Sequence, residues 1–496
     1  MGKRPWRRFD WALLGALLLL SAYGVVMIYS ATIDTPGVGD PVQRQLLYLG
    51  VGIVLLLLVA SVDYRLLEIL QHPFSFLTPL VLGLLNVAVL VAWQIKQTDA
   101  AALTAGLLAP VLMPLALGLV LILSIFAIDR IWLAQSDPAP GRLAENPFKG
   151  LIIVGVLVAA GIGTLVIVRL GSDRISAIAP YLFGVGLSVL YLLDCLTLRI
   201  TDLFRNLLYV VMILFLAAVF EIGQVSGGAQ SWLGAGGVQP SEMAKLVVIV
   251  VLAKFLADRE ERMEELGTVL VSVGIIAVPI VLIYLQPDLG TAIVLIAIWA
   301  AMMWTAGMRL RHWLILAVGS AAALPMVWLA LEDYMRQRLL LFFNPTADPD
   351  SYFNIHQALV SIGSGGLIGK GLTHGTQSQL HFLRVRHTDF IFAVAAEELG
   401  FLGAMVMVGL LFFILWRTLR IAERSRDTFG RLIVAGLAAI VLFQAVINIG
   451  MNLGLLPVTG LPLPFVSYGG SSLITLMIGM GLVESVAVRH RKLEFD

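Results

Sequence analysis

Apolar runs long enough to cross a bilayer recur along the whole of this 496-residue chain. They constrain its fold more than any other feature, because each helical span of the hydrocarbon core takes about 20 apolar residues. Hydrophobic residues make up 59% of the chain and charged residues 13%, whereas soluble domains carry about 25% charged residues. Mean hydropathy is +0.93. The sequence therefore predicts an all-α, polytopic membrane protein.

Run length predicts about fourteen spans. They lie near residues 11–29, 44–61, 73–94, 101–127, 150–169, 176–197, 205–222, 240–257, 267–285, 290–306, 312–330, 389–416, 430–453 and 467–488. Basic residues precede the first run, as in a signal sequence, but the run is long and no A-x-A site follows. We therefore expect an uncleaved first span. The lone Cys195 cannot form an intrachain disulfide.

Arginine and lysine predict the orientation of these spans, because cytoplasmic loops carry an excess of them. With a cytoplasmic amino terminus, the inside loops carry Arg65, Arg130, Arg142, Lys149, Arg199, Arg205, Arg259, Arg262, Arg309, Arg311, Arg417, Arg420, Arg424, Arg426, Arg489, Arg491 and Lys492. The outside loops hold few, among them Arg44, Lys96 and Arg174. An even number of spans then places both termini of this multi-pass protein in the cytoplasm.

The long external segment 331–388 is the exception to this charge distribution. It holds Arg336, Arg338, Lys370, Arg384 and Arg386. Charges this close to hydrocarbon are costly unless they are paired or functional. A basic surface on the outer side indicates an anionic ligand, and a solvated loop face is the alternative.

A carboxylate stands where this segment enters the next apolar helix. His387-Thr388-Asp389 opens the helix, so Asp389 is a candidate general base or cation ligand. Taken alone, a helix N-cap is the simpler interpretation of Asp389. Glu397 and Glu398 lie about two turns deeper, where an unpaired charge is expensive. We expect at least one of them to face the protein interior and a basic partner.

Two further acidic positions lie at predicted external helix starts. Glu242 and Lys245 are three residues apart, so they share a helix face. A structural ion pair and a substrate contact are equally good interpretations of that pair. Asp288 lies between two apolar runs; capping the following helix is the favoured role, and a place in the external polar site is the alternative.

The segment Leu455–Ser472 contains three prolines and the pair Gly469-Gly470, so it cannot be a continuous helix. Irregular backbone at membrane depth is tolerated only against protein or a water-filled cavity, so this segment is expected to wall a cavity. Asn448 and Asn452 lie four residues apart on the preceding helix. They could face that cavity or form hydrogen bonds between helices.

Several motifs together resemble the RodA/FtsW (SEDS) family of peptidoglycan glycosyltransferases. The most specific is the stretch GSGGLIGKGLTHGTQSQLHFL with HTDFIFAVAAEELGFLG, within residues 363–403. Others, in the same order and spacing, are Phe9-Asp10-Trp11, Asp63-Tyr64-Arg65, GAQSWL, QPSEMAK, QPDLGT, RQRLLLFFNPTADPD and LLPVTGLPLPFVSYGGSS. The resemblance covers about residues 1–70 and 205–492. The stretch 375–380, which includes Gln377 and Gln379, is more similar to the RodA (elongation) branch than to the FtsW (division) branch.

The chain departs from the family pattern in two places. The family usually has about ten spans, and four extra ones are predicted between residues 73 and 197. The resemblance therefore implies two SEDS helices in 1–72, an inserted membrane region in 73–204, and a catalytic core in 205–496 with the external loop 331–388. The second departure is Arg384-Val385, where the family commonly has Pro-Glu.

The resemblance implies polymerisation of lipid II into β-1,4 glycan outside the membrane, with release of undecaprenyl pyrophosphate. Asp389 matches the essential aspartate of the family and would be the base. The implied substrate contacts are Arg336, Arg338, Lys370, Gln377, Gln379, Arg384, Arg386, His387, Glu242, Lys245 and Asp288. No covalently bound cofactor is expected, and a divalent cation (Mg²⁺ or Mn²⁺) bridging the phosphates is compatible with this chemistry.

The implied partners are lipid II, a single-span class B penicillin-binding protein and other proteins of the elongation complex; no nucleic acid is expected. Three alternatives remain: a lipid II flippase, an FtsW-like polymerase of cell division, and a scaffold for cell-wall assembly. A flippase would use the same membrane cavity and basic patch without an external carboxylate base. A scaffold would need neither.

Overall fold

The computed structural model describes residues 9–33, 41–67, 207–226, 229–233, 239–330, 349–380 and 385–489, and six single positions between 335 and 383. The predicted spans near 73–94, 101–127, 150–169 and 176–197 lie outside the described residues, as do Cys195, Arg338 and Arg384. The chain divides into two compact units, one formed by residues 1–69 and 215–496 and the other by 70–214. The domain boundaries expected from the sequence stay a prediction.

The described elements are helices, apart from one small hairpin. In chain order they are α1 (Trp11–Thr32), α2 (Pro41–Ser61), α3 (Leu207–Ile222), β1 (Gly223–Ser226), β2 (Ala229–Leu233), α4 (Pro240–Ala257), a 3₁₀ turn (Glu260–Arg262), α5 (Leu266–Tyr284), α6 (Leu289–Thr305), α7 (Leu310–Ala330), α8 (Pro349–Ser364), α9 (Thr376–Gln379), α10 (Ile391–Arg424), α11 (Thr428–Asn452) and α12 (Gly470–Arg489). Strands β1 and β2 pair antiparallel.

The predicted fold class is confirmed. Among the described helices, α1, α2, α5, α10, α11 and α12 are long and apolar enough to cross a membrane. Helix α6 is also apolar and has 17 residues, while α4 has 18 and carries Glu242, Lys245 and Lys254. Each span predicted within the described residues corresponds to a helix. The hairpin is a small addition inside the loop between α3 and α4.

Glycines allow the central helices to approach one another closely. A Cβ at Gly481 of α12 would lie 2.7 Å from the Leu56 carbonyl oxygen of α2, and one at Gly479 would lie 2.7 Å from Leu437 of α11. Small residues serve this purpose in membranes, where helix association depends on van der Waals packing because lipid is as apolar as the side chains. The packing leaves α12 almost entirely buried between α2 and α11.

The longest helix, α10, is interrupted near the end that follows Asp389. Gly400 has φ 67° and ψ −167°, so the 34-residue helix consists of two segments joined at that residue. A glycine suits this position because a side chain at positive φ is strained. A Cβ there would also lie 2.7 Å from the backbone of Ile368.

The loop after α8 fills this interruption with its own backbone. Lys370 N–H donates to the Glu397 carbonyl (3.1 Å) and Gly371 N–H to the Glu398 carbonyl (2.9 Å). In return, the Phe401 and Leu402 N–H groups donate to the carbonyls of residues 366 and 367 (2.8 and 3.1 Å). These four bonds satisfy groups that an unbroken helix would pair internally, as backbone at membrane depth requires. The glycine-rich loop is therefore part of the bundle.

Candidate functional site

Asp389 lies in a turn, residues 385–390, that precedes α10. The helix begins at Ile391, its N-cap is Phe390, and no side chain caps it. Asp389 therefore does not cap α10, and the simpler interpretation of this residue is wrong. Its side chain is half-buried. Helix capping is thus not the role of this carboxylate.

Three consecutive carbonyls hold this turn in place. The His387 carbonyl accepts from Tyr468 N–H (2.9 Å), and the Thr388 carbonyl accepts from the Ser467 hydroxyl (2.6 Å). The Asp389 carbonyl accepts from the amides of both Asn448 (3.1 Å) and Asn452 (2.9 Å). All of these donors lie outside the turn, in α11 or in the segment between α11 and α12. The backbone of the candidate base is therefore fixed from two sides, as preorganised catalysis requires.

The segment between α11 and α12 forms a wall beside Asp389. Residues 455–469 are not helical, as predicted, and Leu461, Leu463, Phe465 and Val466 are buried. The segment packs against α1, where a Cβ at Gly24 would lie 2.7 Å from Val466. Gly460 faces the Asp389 carboxylate, since a Cβ there would lie 3.9 Å from Oδ2. Asn448 also donates to the Leu461 carbonyl (2.8 Å), so the two asparagines form hydrogen bonds between elements.

Arg386 anchors the turn to two other parts of the chain. Its Nε donates to the Ala31 carbonyl at the end of α1 (2.5 Å), and its Nη1 donates to the Ser378 carbonyl (2.6 Å). Helix carbonyls at a C-terminus lack intrahelical partners and attract cations. The residue is 6% exposed. Val385 just before it has φ 53°, a strained value for a β-branched residue, so these contacts hold a strained turn.

Lys370 and Glu397 form an ion pair at the helix interruption. Lys370 Nζ lies 2.9 Å from Glu397 Oε1, and the Glu397 side chain is fully buried. The same carboxylate accepts from the N–H groups of Gln377 (2.9 Å) and Ser378 (3.2 Å). Glu397 therefore orients the start of α9 as well as the lysine. The predicted inward orientation toward a basic partner is confirmed for this residue.

Glu398 is also fully buried but has different partners. The Ser30 hydroxyl of α1 lies 2.5 and 2.7 Å from its two oxygens, and Ser30 Oγ also accepts from Thr373 N–H (3.0 Å). Gln379 Nε2 donates to the Ser30 carbonyl (3.0 Å). The last turn of α1 thus links the surroundings of both glutamates to the turn that carries Asp389. No local feature of the sequence predicts this role for Ser30.

The remaining predicted acids gather at the starts of α4 and α6. Lys245 Nζ lies 2.7 Å from Glu242 Oε1, and both side chains are almost fully buried. Asp288 caps α6 by accepting from Thr291 N–H (3.0 Å), and it also accepts from Gln239 Nε2 (3.2 Å). Burial raises the pKa of Asp288, and the nearby Glu242 raises it further. The favoured interpretation of Asp288, a helix cap, is confirmed.

One short segment, residues 459–461, lies close both to the start of α6 and to Asp389. A Cβ at Gly290, two residues after Asp288, would lie 2.8 Å from the Thr459 carbonyl oxygen, and Gly460 faces Asp389. Gln239 N–H also donates to Ser471 at the start of α12 (3.0 Å). The structure therefore brings the Asp288 and Asp389 regions together around residues 459–461.

His387 and Tyr468 form an aromatic contact beside the turn, with ring centroids 5.6 Å apart. Burial lowers the pKa of His387, and the adjacent Arg386 lowers it further. Burial raises the pKa of Tyr468, while a hydrogen bond with Arg44 works in the opposite direction. Arg44 thus reaches this site from α2. Its isolated external charge was the signal that could have identified it.

Arg336 is the remaining described basic residue of the external segment. Its Nε donates to the Trp328 carbonyl (3.0 Å). Among the residues that the structure describes, no three His, Cys, Asp or Glu side chains come close enough to hold a metal ion. A divalent cation near Asp389 would therefore depend on substrate phosphates for most of its ligands. Mg²⁺ commonly binds proteins in that way, through one or two carboxylates plus phosphates.

Membrane-length helices around a broken helix, with a carboxylate held at one end of the bundle, define a multi-pass membrane protein with a polar site outside its apolar core. The family model described as "cell cycle protein", for FtsW, RodA and SpoVE, matches residues 148–492. The chain belongs to this family.

Named relatives agree with this membership. The peptidoglycan glycosyltransferase MrdB of Escherichia coli K12 is 42% identical over 62% of this chain and 84% of its own length. The stage V sporulation protein E of Bacillus subtilis is 38% identical over 55% of this chain and 76% of its own length. A probable peptidoglycan glycosyltransferase FtsW of Nitrosococcus halophilus is 35% identical over 70% and 94%.

Solved structures support the fold. One, from work titled "Structural coordination of polymerization and crosslinking by a peptidoglycan synthase complex", matches with a TM-score of 0.60 over 97% of both chains at 24% identity. The rod shape determining protein RodA of Thermus thermophilus matches with a TM-score of 0.51 at 24% identity, over 97% of this chain and 96% of its own.

Proposed function

We propose that this chain is a peptidoglycan glycosyltransferase that polymerises lipid II into β-1,4 glycan strands and releases undecaprenyl pyrophosphate. Family membership and the 42% identity to a relative named peptidoglycan glycosyltransferase support the reaction class. The observation that carries the proposal is the turn formed by residues 385–390, whose carbonyls are hydrogen-bonded to other elements. It presents Asp389 beside an irregular, buried segment and outside the apolar core.

Asp389 acts as the general base. It accepts the proton of the acceptor 4-hydroxyl while that oxygen bonds to the anomeric carbon of the donor sugar. The bond from this carbon to the pyrophosphate oxygen breaks, and its electron pair leaves with the diphosphate. A positioned base contributes about 10²–10⁴ in rate.

The leaving diphosphate requires cationic side chains that are exposed enough to reach it. Lys370 and Arg386 are bonded to Glu397 and to backbone carbonyls, respectively. Arg44, exposed beside Tyr468, is the better candidate among the described residues. Arg336, Arg338 and Arg384 are further candidates in the external segment. Asp389 would help to hold Mg²⁺ or Mn²⁺ together with substrate phosphates, and the cation would supply additional positive charge for the leaving group.

Arg386 and Asn452 act as positioning residues. Arg386 fixes the turn to Ala31 and Ser378, and Asn452 holds the Asp389 carbonyl. Their role is to keep the carboxylate in register with the acceptor hydroxyl, and a small displacement of a base is costly. Gln377, Gln379, His387 and Asp288 are the remaining candidate contacts for the sugars. Glu242 and Lys245 are almost fully buried against each other, so their contribution is structural.

The active site faces the outer side of the cytoplasmic membrane, with both termini inside, because the basic loops lie at the opposite helix ends. The higher identity to MrdB than to the FtsW relatives favours a role in cell elongation and cell shape over division. A class B penicillin-binding protein would be the partner that cross-links the strands. The neighbouring structure from work on a peptidoglycan synthase complex supports a partner of this kind.

The test is polymerisation of purified lipid II by purified protein with its partner. Asp389→Asn should lower glycan formation at least 100-fold without changing the melting temperature. Asp258→Asn, which removes an acid paired with Lys254 far from the turn, should keep wild-type activity. Normal glycan from Asp389→Asn would reject the base assignment. Lipid II flipping in proteoliposomes without polymer would favour a flippase.

A companion pair of variants tests the positioning role. Arg386→Ala should reduce kcat by about tenfold to 100-fold with little change in KM, because it displaces the base without removing a substrate contact. Arg386→Lys should recover part of that loss, since a lysine can still reach one carbonyl. A raised KM with unchanged kcat would instead indicate that Arg386 binds substrate.

A further inference from the structure

A cavity of about 260 Å³ lies at the end of the bundle opposite Asp389. It opens between the start of α1, the last turns of α10 and the end of α12. Its lining includes Phe9, Asp10, Trp11, Arg417, Arg424 and Ala487. The proposed polymerisation uses none of these residues. At least one basic side chain of the cavity has hydrogen-bond donors without an acceptor among the described residues, so the cavity could bind a ligand through them.

The two arginines define the chemistry of the cavity. Arg417 and Arg424 are seven residues apart on α10, so they lie on one face of the helix. Arg417 uses Nε to bind Asp10 Oδ2 (2.5 Å), which leaves its terminal amino groups available. Within the described part of the chain, Arg424 makes no hydrogen bond or ion pair and is exposed. Guanidinium groups in such an arrangement suit an oxyanion, above all a phosphate.

The position of the cavity relative to the bilayer indicates where that phosphate comes from. The segment of α10 that follows the interruption, residues 401–424, extends about 36 Å at about 1.5 Å per residue. It is therefore longer than a hydrocarbon core of about 30 Å. The last turns of α10 therefore lie at headgroup level. Trp11 is 59% exposed at the cavity rim, and Trp416 is 39% exposed one residue before Arg417. Exposed tryptophans at helix ends are typical of the membrane interface.

We propose that this cavity binds the phosphodiester headgroup of an anionic phospholipid of the adjacent leaflet. Arg417 and Arg424 hold the phosphate, Trp11 covers the glycerol region, and the acyl chains run along the exposed apolar faces of α1 and α10. Leu18 and Leu19 of α1 and Phe412 of α10 are exposed on those faces. The cavity accommodates a headgroup, whereas the chains remain in the bilayer.

The test compares lipid binding by purified variants, measured by native mass spectrometry with phosphatidylglycerol and phosphatidylcholine. Wild type should retain phosphatidylglycerol preferentially, and Arg424→Ala should weaken that binding about fivefold to tenfold. Arg426→Ala is the matched control: it removes the same charge two residues away, outside the cavity lining. It should leave the preference unchanged, and all variants should melt alike in phosphatidylcholine.

Three outcomes would overturn the proposal. Equal weakening by Arg424→Ala and Arg426→Ala would mean that surface potential alone attracts the lipid. No preference for phosphatidylglycerol over phosphatidylcholine would exclude a phosphodiester site for anionic lipid. Full displacement of the bound lipid by millimolar inorganic phosphate would identify the cavity as a site for a soluble anion.

Discussion

The two ends of the helix bundle are held together by different kinds of interaction. At the Asp10 end, acids cap regular helices and pair with basic residues: Asp10 accepts from Leu13 N–H (3.1 Å) and Arg417. Asp427 likewise accepts from Gly430 N–H (2.9 Å) and from Tyr64. At the Asp389 end, Asp288 also caps a helix, but much of the backbone is irregular. Its carbonyls are bonded by Asn448, Asn452, Ser467 and Arg386 across four separate segments.

The difference follows from what each end must do. A regular helix end leaves unpaired N–H groups that a single nearby carboxylate can satisfy. A turn that presents a base, and a helix broken within the bundle, leave many more backbone groups unpaired in a water-poor region. Each must find a partner there. Substitutions at the Asp389 end should therefore cost more than equivalent ones elsewhere in the bundle.

The largest difference in stability is expected between alanine substitutions at two glycines of the same helix. Gly400→Ala forces a Cβ into the backbone of Ile368 at φ 67°, so it should destabilise the protein by several kcal/mol. Gly409→Ala has no atom within 4 Å to meet and should stabilise by about 0.5–1 kcal/mol. Thermal unfolding in one detergent measures both. Similar melting temperatures for the two variants would show that α10 tolerates a continuous helix at Gly400.

A second difference is expected between a buried and an exposed ion pair. Glu397→Gln removes a charge that is fully buried against Lys370, and it should cost about 3–5 kcal/mol. Glu260→Gln removes the partner of Arg431 at the other end, where Glu260 is 57% exposed. That change should cost less than about 1 kcal/mol.

The salt dependence of stability should also differ between the Glu397–Lys370 and Glu260–Arg431 pairs. Sodium chloride at 1 M should abolish the small contribution of Glu260 to the free energy of unfolding, since exposed charges are screened. It should leave the cost of Glu397→Gln nearly unchanged. Equal losses of stability for both variants would mean that burial does not make the Glu397 pair more important than the Glu260 pair.

The regular parts of the molecule were predictable from the sequence, because run length and helix-cap residues are local signals. Each predicted span within the described residues is a helix, and Asp288 caps α6 as the favoured interpretation held. The inward orientation of Glu397 followed from the cost of unpaired charge at that depth. The non-helical segment after α11 followed from its prolines.

The contacts of the site were not predictable in the same way, because they join residues far apart in the chain. Arg386 lies in a basic cluster, and nothing local shows that it bonds Ala31, 355 positions away. Ser30 reads as a small residue in an apolar helix, yet it contacts Glu398. The interruption at Gly400 has no proline to mark it. Its cause is the loop 366–371, which supplies the missing backbone partners.

The smallest effect on stability is expected from the titration of His387. Burial beside Arg386 lowers its pKa in the folded protein, whereas an unfolded chain has the usual value of about 6.5. As pH falls through that value, the unfolded state takes up a proton that the folded state does not, so stability falls. The slope from this one group is at most about 1.4 kcal/mol per pH unit.

His387→Gln should remove this contribution, so that between pH 7 and pH 5 the variant loses less stability than wild type. His374→Gln, at an exposed position in the same external segment, is the matched control and should follow wild type. Melting temperatures at half-unit pH steps measure the difference. Parallel curves for wild type and His387→Gln would mean that His387 becomes protonated as readily in the fold as in the unfolded chain. The contact with Tyr468 would then form around a charged ring.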